Sequence, residues 1–530
     1  MKLKYLLVSA LLSTAAVNAF GQSPIENPIT KAMMEVYRQE LEADPQNYEV
    51  YFRRANEYYN VSQYLRALSD INEAIKYTPV EDNDLQFQEY TLRANIYLML
   101  ERYQDALADL TNACDLDPTS LTSIYLKANT EYELGMYNEA KADFNKLQRL
   151  DSHNLESLFG LARIAVKENN LGLANEYADR AITFEPSNSI AYQQRASIRQ
   201  LMGNNNGAVD DLIVAISVDK DNTTALARLV AMSNVDYNAV INGLSSAIQQ
   251  APAVGMFVYL RATIAMAHYR YKSAIDDFHL IIDENLYNYH GIYGSLAQCY
   301  YGLGKYQEAL TEVNQAMSMT SDNGSYYILR AKIRRAMDDF EKAYESAATA
   351  LDKLPDSPAA MSEKGLCAKS KKEYREASDL FGEAIMDEPD NIINYIYRAQ
   401  LLNDFLKEGA AARSLYQRAI DIDFPETSVK SLKGFVFMLQ GNKADAISWI
   451  ESILSENKDI DGSLNYYAAC LYSHLNMTEK AFACMETSLE NGYADYYNWT
   501  RYDDSVVSVA PLRKNSKFNN LLERYNYLFN

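Results

Sequence analysis

Glycine and proline are scarce in this 530-residue chain, at 20 and 12 residues. So few chain breakers argue against long linkers, disordered tails and turn-rich β folds. Cysteine is also sparse and odd in number: Cys114, Cys299, Cys367, Cys470 and Cys484. Five scattered thiols exclude a small disulfide-stapled domain. Most are expected to be buried free thiols, and Cys470 with Cys484 is the one local pair that a disulfide could join. Positive charge is short, with 50 Lys and Arg against 71 Asp and Glu and a formal net charge of −21. Without a basic run to neutralise phosphates, nucleic acid is excluded as a partner, and the acidity is read as a solubility device. The five histidines (His153, His268, His279, His290, His474) never stand at metal-ligand spacing with a carboxylate between. A phosphate loop, a nucleophile elbow and a dinucleotide fingerprint are all missing. No catalytic residue, metal or cofactor is therefore expected, and the chain reads as a non-enzyme.

Long apolar runs are missing too, except at the start. Lys2 and Lys4 precede an apolar stretch from Tyr5 to Val17, closed by Asn18 and Ala19. That is the pattern of a signal peptide cleaved after Ala19, too short for a comfortable membrane span. No cysteine follows it until Cys114, so a lipid anchor is not supported. The expectation is a soluble exported bacterial protein, periplasmic or extracellular, with no transmembrane segment; any membrane-complex association would run through a partner.

What is present in abundance is a repeat. Alanines recur at Ala67, Ala106, Ala140, Ala174 and Ala208, then Val240, then Ala274, Ala309, Ala343, Ala377, Ala412, Ala446 and Ala481. The successive gaps are 39, 34, 34, 34, 32, 34, 35, 34, 34, 35, 34 and 35. Most units carry a second small residue twelve positions earlier, as at Ala55, Ala94, Ala128, Ala162, Ala196 and Ala262. Small residues on two facing helices let their backbones approach, and aromatics such as Tyr58, Tyr97, Phe144 and Phe278 fill the seam. Prolines at 79, 118, 186, 355 and 389 stop one unit before the next begins.

This spacing resembles the tetratricopeptide repeat family, a 34-residue helix-turn-helix with small, aromatic and proline positions. The resemblance covers thirteen units from Tyr48 to Tyr493. It implies an all-α solenoid, a right-handed superhelix with first helices lining a concave groove. The expected divisions are residues 1–19 (signal peptide), 20–47 (capping helix, closed by Asp44-Pro45), 48–220 (repeats 1–5), 221–252 (a degenerate sixth repeat), 253–493 (repeats 7–13) and 494–530 (C-terminal cap). The sixth unit is two residues short and has Val240 for alanine, which marks it as a kink or boundary. Five extra residues between repeats 1 and 2, near Val80 to Asp84, read as an acidic surface loop. In the cap, Phe518, Leu521, Leu522, Tyr525 and Leu528 share one face that should dock on repeat 13, with Trp499 anchoring the connection.

Two sets of polar residues stand out. A basic residue before the small residue recurs with an acid sixteen positions later: Arg54 and Asp70, Arg93 and Asp109, Lys127 and Asp143, Arg195 and Asp211, Arg261 and Asp277. In repeat 4 both are absent together, replaced by Leu161 and Tyr177. Joint presence and joint loss predict an ion pair between the two helices of one unit, setting their register. One position past the small residue stand Asn56, Asn95 and Asn129, and later Ser197, Thr263, Gln298 and Gln400. By the resemblance these face the groove, and an asparagine ladder is similar to the peptide-binding groove in the repeat domain of O-linked N-acetylglucosamine transferases. An amide offers a donor and an acceptor to a main chain of any sequence. Phe52, Tyr59, Tyr125, Tyr132 and Phe159 should line the same surface. The plainer alternative is that the asparagines solvate an exposed helical face. The carboxylate clamp of chaperone-binding members is matched only at Asn56, since Phe52, Leu92, Thr122 and Leu126 stand where its other groups would be. Asp504-Ser505-Val506 matches the short pattern of a bacterial envelope O-glycosylation site.

The expected function is a non-enzymatic interaction scaffold that binds a protein or extended peptide in its groove. The alternative is a carbohydrate-binding accessory protein or divergent envelope enzyme, suggested by 42 tyrosines that could stack on sugars.

Overall fold

The computed structural model describes residues 28–286, 289–422, 430–500 and 506–530. The signal-peptide segment, Asn27, and Asp504-Ser505 lie outside them. Among the described residues every regular element is helical, and the helices pair antiparallel in chain order after a lone first helix, Pro28–Ala43. The fold is an α-solenoid of thirteen helix pairs, and the chain divides into two compact units between Met232 and Ser233. That division falls inside the short sixth repeat, at the last residue of its first helix (Thr223–Ser233) and ahead of its second (Tyr237–Gln250).

The pairs follow from the sequence. First helices begin behind a capping side chain: Asn47, Asp82, Ser120 and Asn154 accept from the backbone N–H three residues on. The two small residues of each repeat meet with no exposure, as with Ala55 and Ala67, Ala94 and Ala106, and Ala297 and Ala309. Between repeats the fit is as tight: a Cβ at Gly160, in the first helix of repeat 4, would lie 2.3 Å from the ring of Phe144 in the second helix of repeat 3.

A further regularity marks the turn between the helices. The residue seven past the small one has a left-handed backbone: Ser62, Glu101, Gly135, Asn169, Gly203, Tyr269, Gly304, Asp338, Lys372, Gly441 and Asn476. At Ser62, the next N–H (Gln63) reaches back to the Tyr58 carbonyl at 2.8 Å, closing the first helix with the bond that such a cap requires.

Two irregular spacings find local explanations. Of the five residues expected to form an acidic loop, Val80, Glu81 and Asp82 lie in the turn and Asn83 and Asp84 open the helix. The first helix of repeat 2 runs Asn83–Met99, 17 residues against 13 in repeats 1, 3, 4 and 5, so most of the insertion is one extra helical turn. Asp82 caps it by accepting from the Leu85 N–H at 3.1 Å, and the following Asp84 suits the positive end of the helix dipole. The 35-residue gap before Ala412 arises because the first helix of repeat 11, Ile392–Gln400, ends in a π-helical turn, Leu401–Phe405. A π turn takes up one additional residue, and the left-handed residue accordingly falls at Lys407, eight past Ala399.

In the C-terminal unit the last helix, Ser516–Arg524, buries Phe518 and Leu521 and lies on repeat 13, where Lys517 bonds to Glu479 at 3.2 Å. Trp499 is fully buried and donates from Nε1 to the Tyr493 carbonyl at 3.2 Å. All five cysteines are free thiols, Cys470 and Cys484 included. Burial pushes the Cys114 and Cys484 thiols up to about 11.

Candidate functional site

The five basic–acidic pairs all meet within their own repeat. Arg54 reaches Asp70 through Nε and Nη2 at 2.6 and 2.8 Å, and Arg93 holds Asp109 through the same atoms at 2.7 Å each. Arg261 and Asp277 repeat this fork at 2.8 and 2.6 Å. Lys127 makes a single bond to Asp143 at 2.7 Å, and Arg195 Nη2 lies 2.6 Å from Asp211. In repeat 4 Leu161 belongs to the buried core and Tyr177 packs against it, an apolar contact where the others have charge.

Pairing within the repeat is only half of the arrangement. Three of these arginines also bond to the second helix of the preceding repeat: Arg93 to Asn72 at 2.9 Å, Arg195 to Asp179 at 2.6 Å, and Arg261 to Ser245 at 2.8 Å. Asn72, Asp179 and Ser245 all stand five residues past the marker residue of their repeat (Ala67, Ala174, Val240). One planar guanidinium thus ties three helices, which a lysine, with its single compact charge, does not do as readily.

On the other face, first helices of successive repeats touch, with contacts between repeats 1 and 2, 3 and 4, and 4 and 5. Asn56 is exposed and Asn95 half-buried. No hydrogen bond to another described residue engages either amide. Asn129 differs. Its Nδ2 donates to the Tyr125 carbonyl at 3.1 Å, and its Oδ1 accepts from Arg163 Nη2. The Arg163 guanidinium in turn lies over the Tyr132 ring, 4.6 Å from its centre. Arg163 follows Asn129 by 34 residues, so it occupies the same repeat position. Arg163 stands one past Ala162, at a position where the sequence signal drawn on was an uncharged polar side chain.

The aromatic residues of this face are half-buried and belong partly to the core. Phe52 and Tyr59 pack on the repeat 1 cluster, Tyr125 and Tyr132 on that of repeat 3, and Phe159 on the cluster around Leu158 and Ala181. Tyr59 leans on Tyr64 with ring centres 5.9 Å apart, and Tyr132 on Tyr137 at 5.4 Å. Asn56, Asn95, Asn129 and Arg163 thus hold the same position of repeats 1 to 4, and Arg163 joins Asn129 to Tyr132.

Among the described residues no group of three or more metal-ligating side chains converges, and no helix is long and apolar enough to cross a membrane.

Residues 125–189 and 290–323 each match a family model described as tetratricopeptide repeat. The comparison with curated proteins gives no match. Among solved structures the chain is similar to yeast Tom70, at 15% identity over 77% of this chain and 99% of that one, with a TM-score of 0.36. It is also similar to a tetratricopeptide repeat protein from Parabacteroides merdae ATCC 43184, at 16% identity over 54% and 99%, TM-score 0.31. A third is YrrB, described as a TPR protein with an unusual peptide-binding site, at 18% identity over 36% and 95%, TM-score 0.30. Residues 125–189 and 290–323 are thus tetratricopeptide repeats, and the same period of about 34 residues runs through the neighbouring helix pairs with small residues at most of their seams.

Proposed function

We propose that this protein is a non-enzymatic scaffold that holds an extended segment of a partner protein along the first helices of repeats 1–5. The observation that carries the reading is the line of Asn56, Asn95 and Arg163 at one repeat position, with two amides uncommitted inside the chain. Asn56 and Asn95 would each exchange a donor and an acceptor with the partner's main chain. Arg163 is already bound to Asn129 and would receive a carbonyl or carboxylate on its remaining N–H groups. The amino-terminal pattern supports export, so the partner is sought in the envelope. The Arg163 guanidinium over the Tyr132 ring leaves that ring less open to a sugar, which disfavours sugar stacking as the main task.

A photo-crosslinking residue placed at Asn95 in the full chain tests this, with one at Asn112, exposed on the second helix of repeat 2, as control. The expected result is one discrete adduct from position 95 and none from 112, weakened at least tenfold by Asn56→Ala together with Arg163→Ala. Equal crosslinking from both positions, or none from either, would overturn the reading.

A further inference from the structure

The C-terminal unit differs from the rest in one respect: a segment outside the repeats lies against its first helices. After the last repeat the chain passes through Asn491 and Gly492 into a short helix, Tyr496–Thr500, which contacts the first helix of repeat 8, His290–Gly302. Tyr497 sits at its centre. Its ring lies 4.9 Å from that of Tyr301 and 6.5 Å from that of Tyr306, and its hydroxyl accepts from Arg335 Nη1 at 3.2 Å. Tyr496 covers the turn of repeat 8 so closely that a Cβ on Gly304 would come within 2.7 Å of the ring. The Tyr493 ring lies tilted against that of Tyr269, with centres 4.5 Å apart, and the Asn491 carbonyl accepts from Arg270 Nη2.

The positions touched are the groove positions of the family. Tyr301 stands four past Ala297 and Arg335 four past Ala331, as Tyr59 and Tyr132 stand four past Ala55 and Ala128. Beneath Tyr497, Arg335 Nε donates to Glu363 at 2.9 Å, a pair with only 9% and 2% of the two residues exposed. Burying two charges in an apolar setting costs more than packing two apolar side chains there. Tyr497 supplies an acceptor for the guanidinium that the helices do not need for their own seams.

We propose that the first-helix face of repeats 8 to 10 is a second peptide-binding site, held occupied by the chain's own Asn491–Thr500 segment. It opens to a partner segment that presents a tyrosine to Tyr301 and the Arg335–Glu363 pair. The chain is then its own competitor at this site, and only the N-terminal groove is free at rest. This inference stands apart from the proposed function, because it concerns other repeats and names its own ligand.

The probe is a labelled peptide of residues 491–500 added to the full chain. Wild type should bind it weakly, and Tyr497→Ala together with Tyr493→Ala should bind it at least tenfold more tightly, whereas a scrambled peptide binds neither. Should the double variant fold poorly, Tyr497→Phe keeps the ring and removes only the hydroxyl. In that variant, amide hydrogen exchange of residues 491–500 should speed up severalfold, with exchange in repeats 1–5 unchanged. Equal peptide binding by wild type and double variant, or unaltered exchange in Tyr497→Phe, would overturn the proposal.

Discussion

Asp109 is buried beneath Arg93, and its removal leaves a half-buried guanidinium with only Asn72 to accept from it. Asp109→Ala should therefore cost about 1–3 kcal/mol in urea unfolding, the penalty for stranding a buried polar partner. Arg93→Leu with Asp109→Tyr copies what repeat 4 does with Leu161 and Tyr177 and should recover most of that loss. A second residue carries a pH dependence. Glu89 is fully buried, accepts from the Thr78 hydroxyl at 2.6 Å, and is pushed by desolvation up to about 7. Its folded value lies above the ordinary one near 4.3, so its contribution favours folding at low pH and is lost as pH rises through about 4.5 to 7. Glu89→Gln cannot ionise, so its melting temperature should fall less than that of wild type between pH 5 and pH 8. An equal fall in both proteins would show that the folded-state pKa of Glu89 is not raised above its ordinary value. At this scale the charge pairs were legible because both partners vanish together in repeat 4. Arg163 was not, because the residues read at that position were all uncharged, and only its contacts with Asn129 and Tyr132 set it beside them.

At the level of the element, the helix pairs could be read from the alanines because a small residue at a seam is dictated by backbone approach, whatever surrounds it. The extra helical turn of repeat 2 and the π turn of repeat 11 could not. Both are changes in backbone hydrogen bonding, and VEDND or LLNDF carries polar residues suited to a loop as well as to a helix. Turn geometry sorts the glycines. Gly462 has φ +78° and a Cβ there would sit 2.2 Å from the Ser488 carbonyl oxygen, whereas Gly441, at φ +89°, has nothing within 4 Å. Gly441→Ala should cost about 1 kcal/mol, the strain of the left-handed backbone alone. Gly462→Ala should cost clearly more, since the Ser488 hydroxyl also donates to the Gly462 carbonyl at 2.6 Å and the strand of chain cannot retreat without breaking that bond. Thermal melts of the two variants side by side check the order.

For the whole molecule, stability in a repeat array is close to a sum of repeat and nearest-neighbour terms. Both tryptophans, Trp449 and Trp499, lie in the C-terminal unit, so their fluorescence reports that unit while circular dichroism reports all helices. Asp109→Ala should accordingly lower the circular dichroism transition and leave the tryptophan transition within about 1 °C of wild type; a matched shift would mean that the two units unfold as one. The arginines that reach back to the preceding repeat bear on how such a chain can grow or shrink. Their acceptors are an asparagine, an aspartate and a serine, all at the same place, so the linkage asks only for an oxygen. Excising repeat 4 as a 34-residue block would put Asn145, five past Ala140, where Asp179 stood under Arg195. The joint would be made again with a different residue. The array is thus built like a coupling with a tolerant socket, in which modules can be lost or duplicated without the seam having to be redesigned each time.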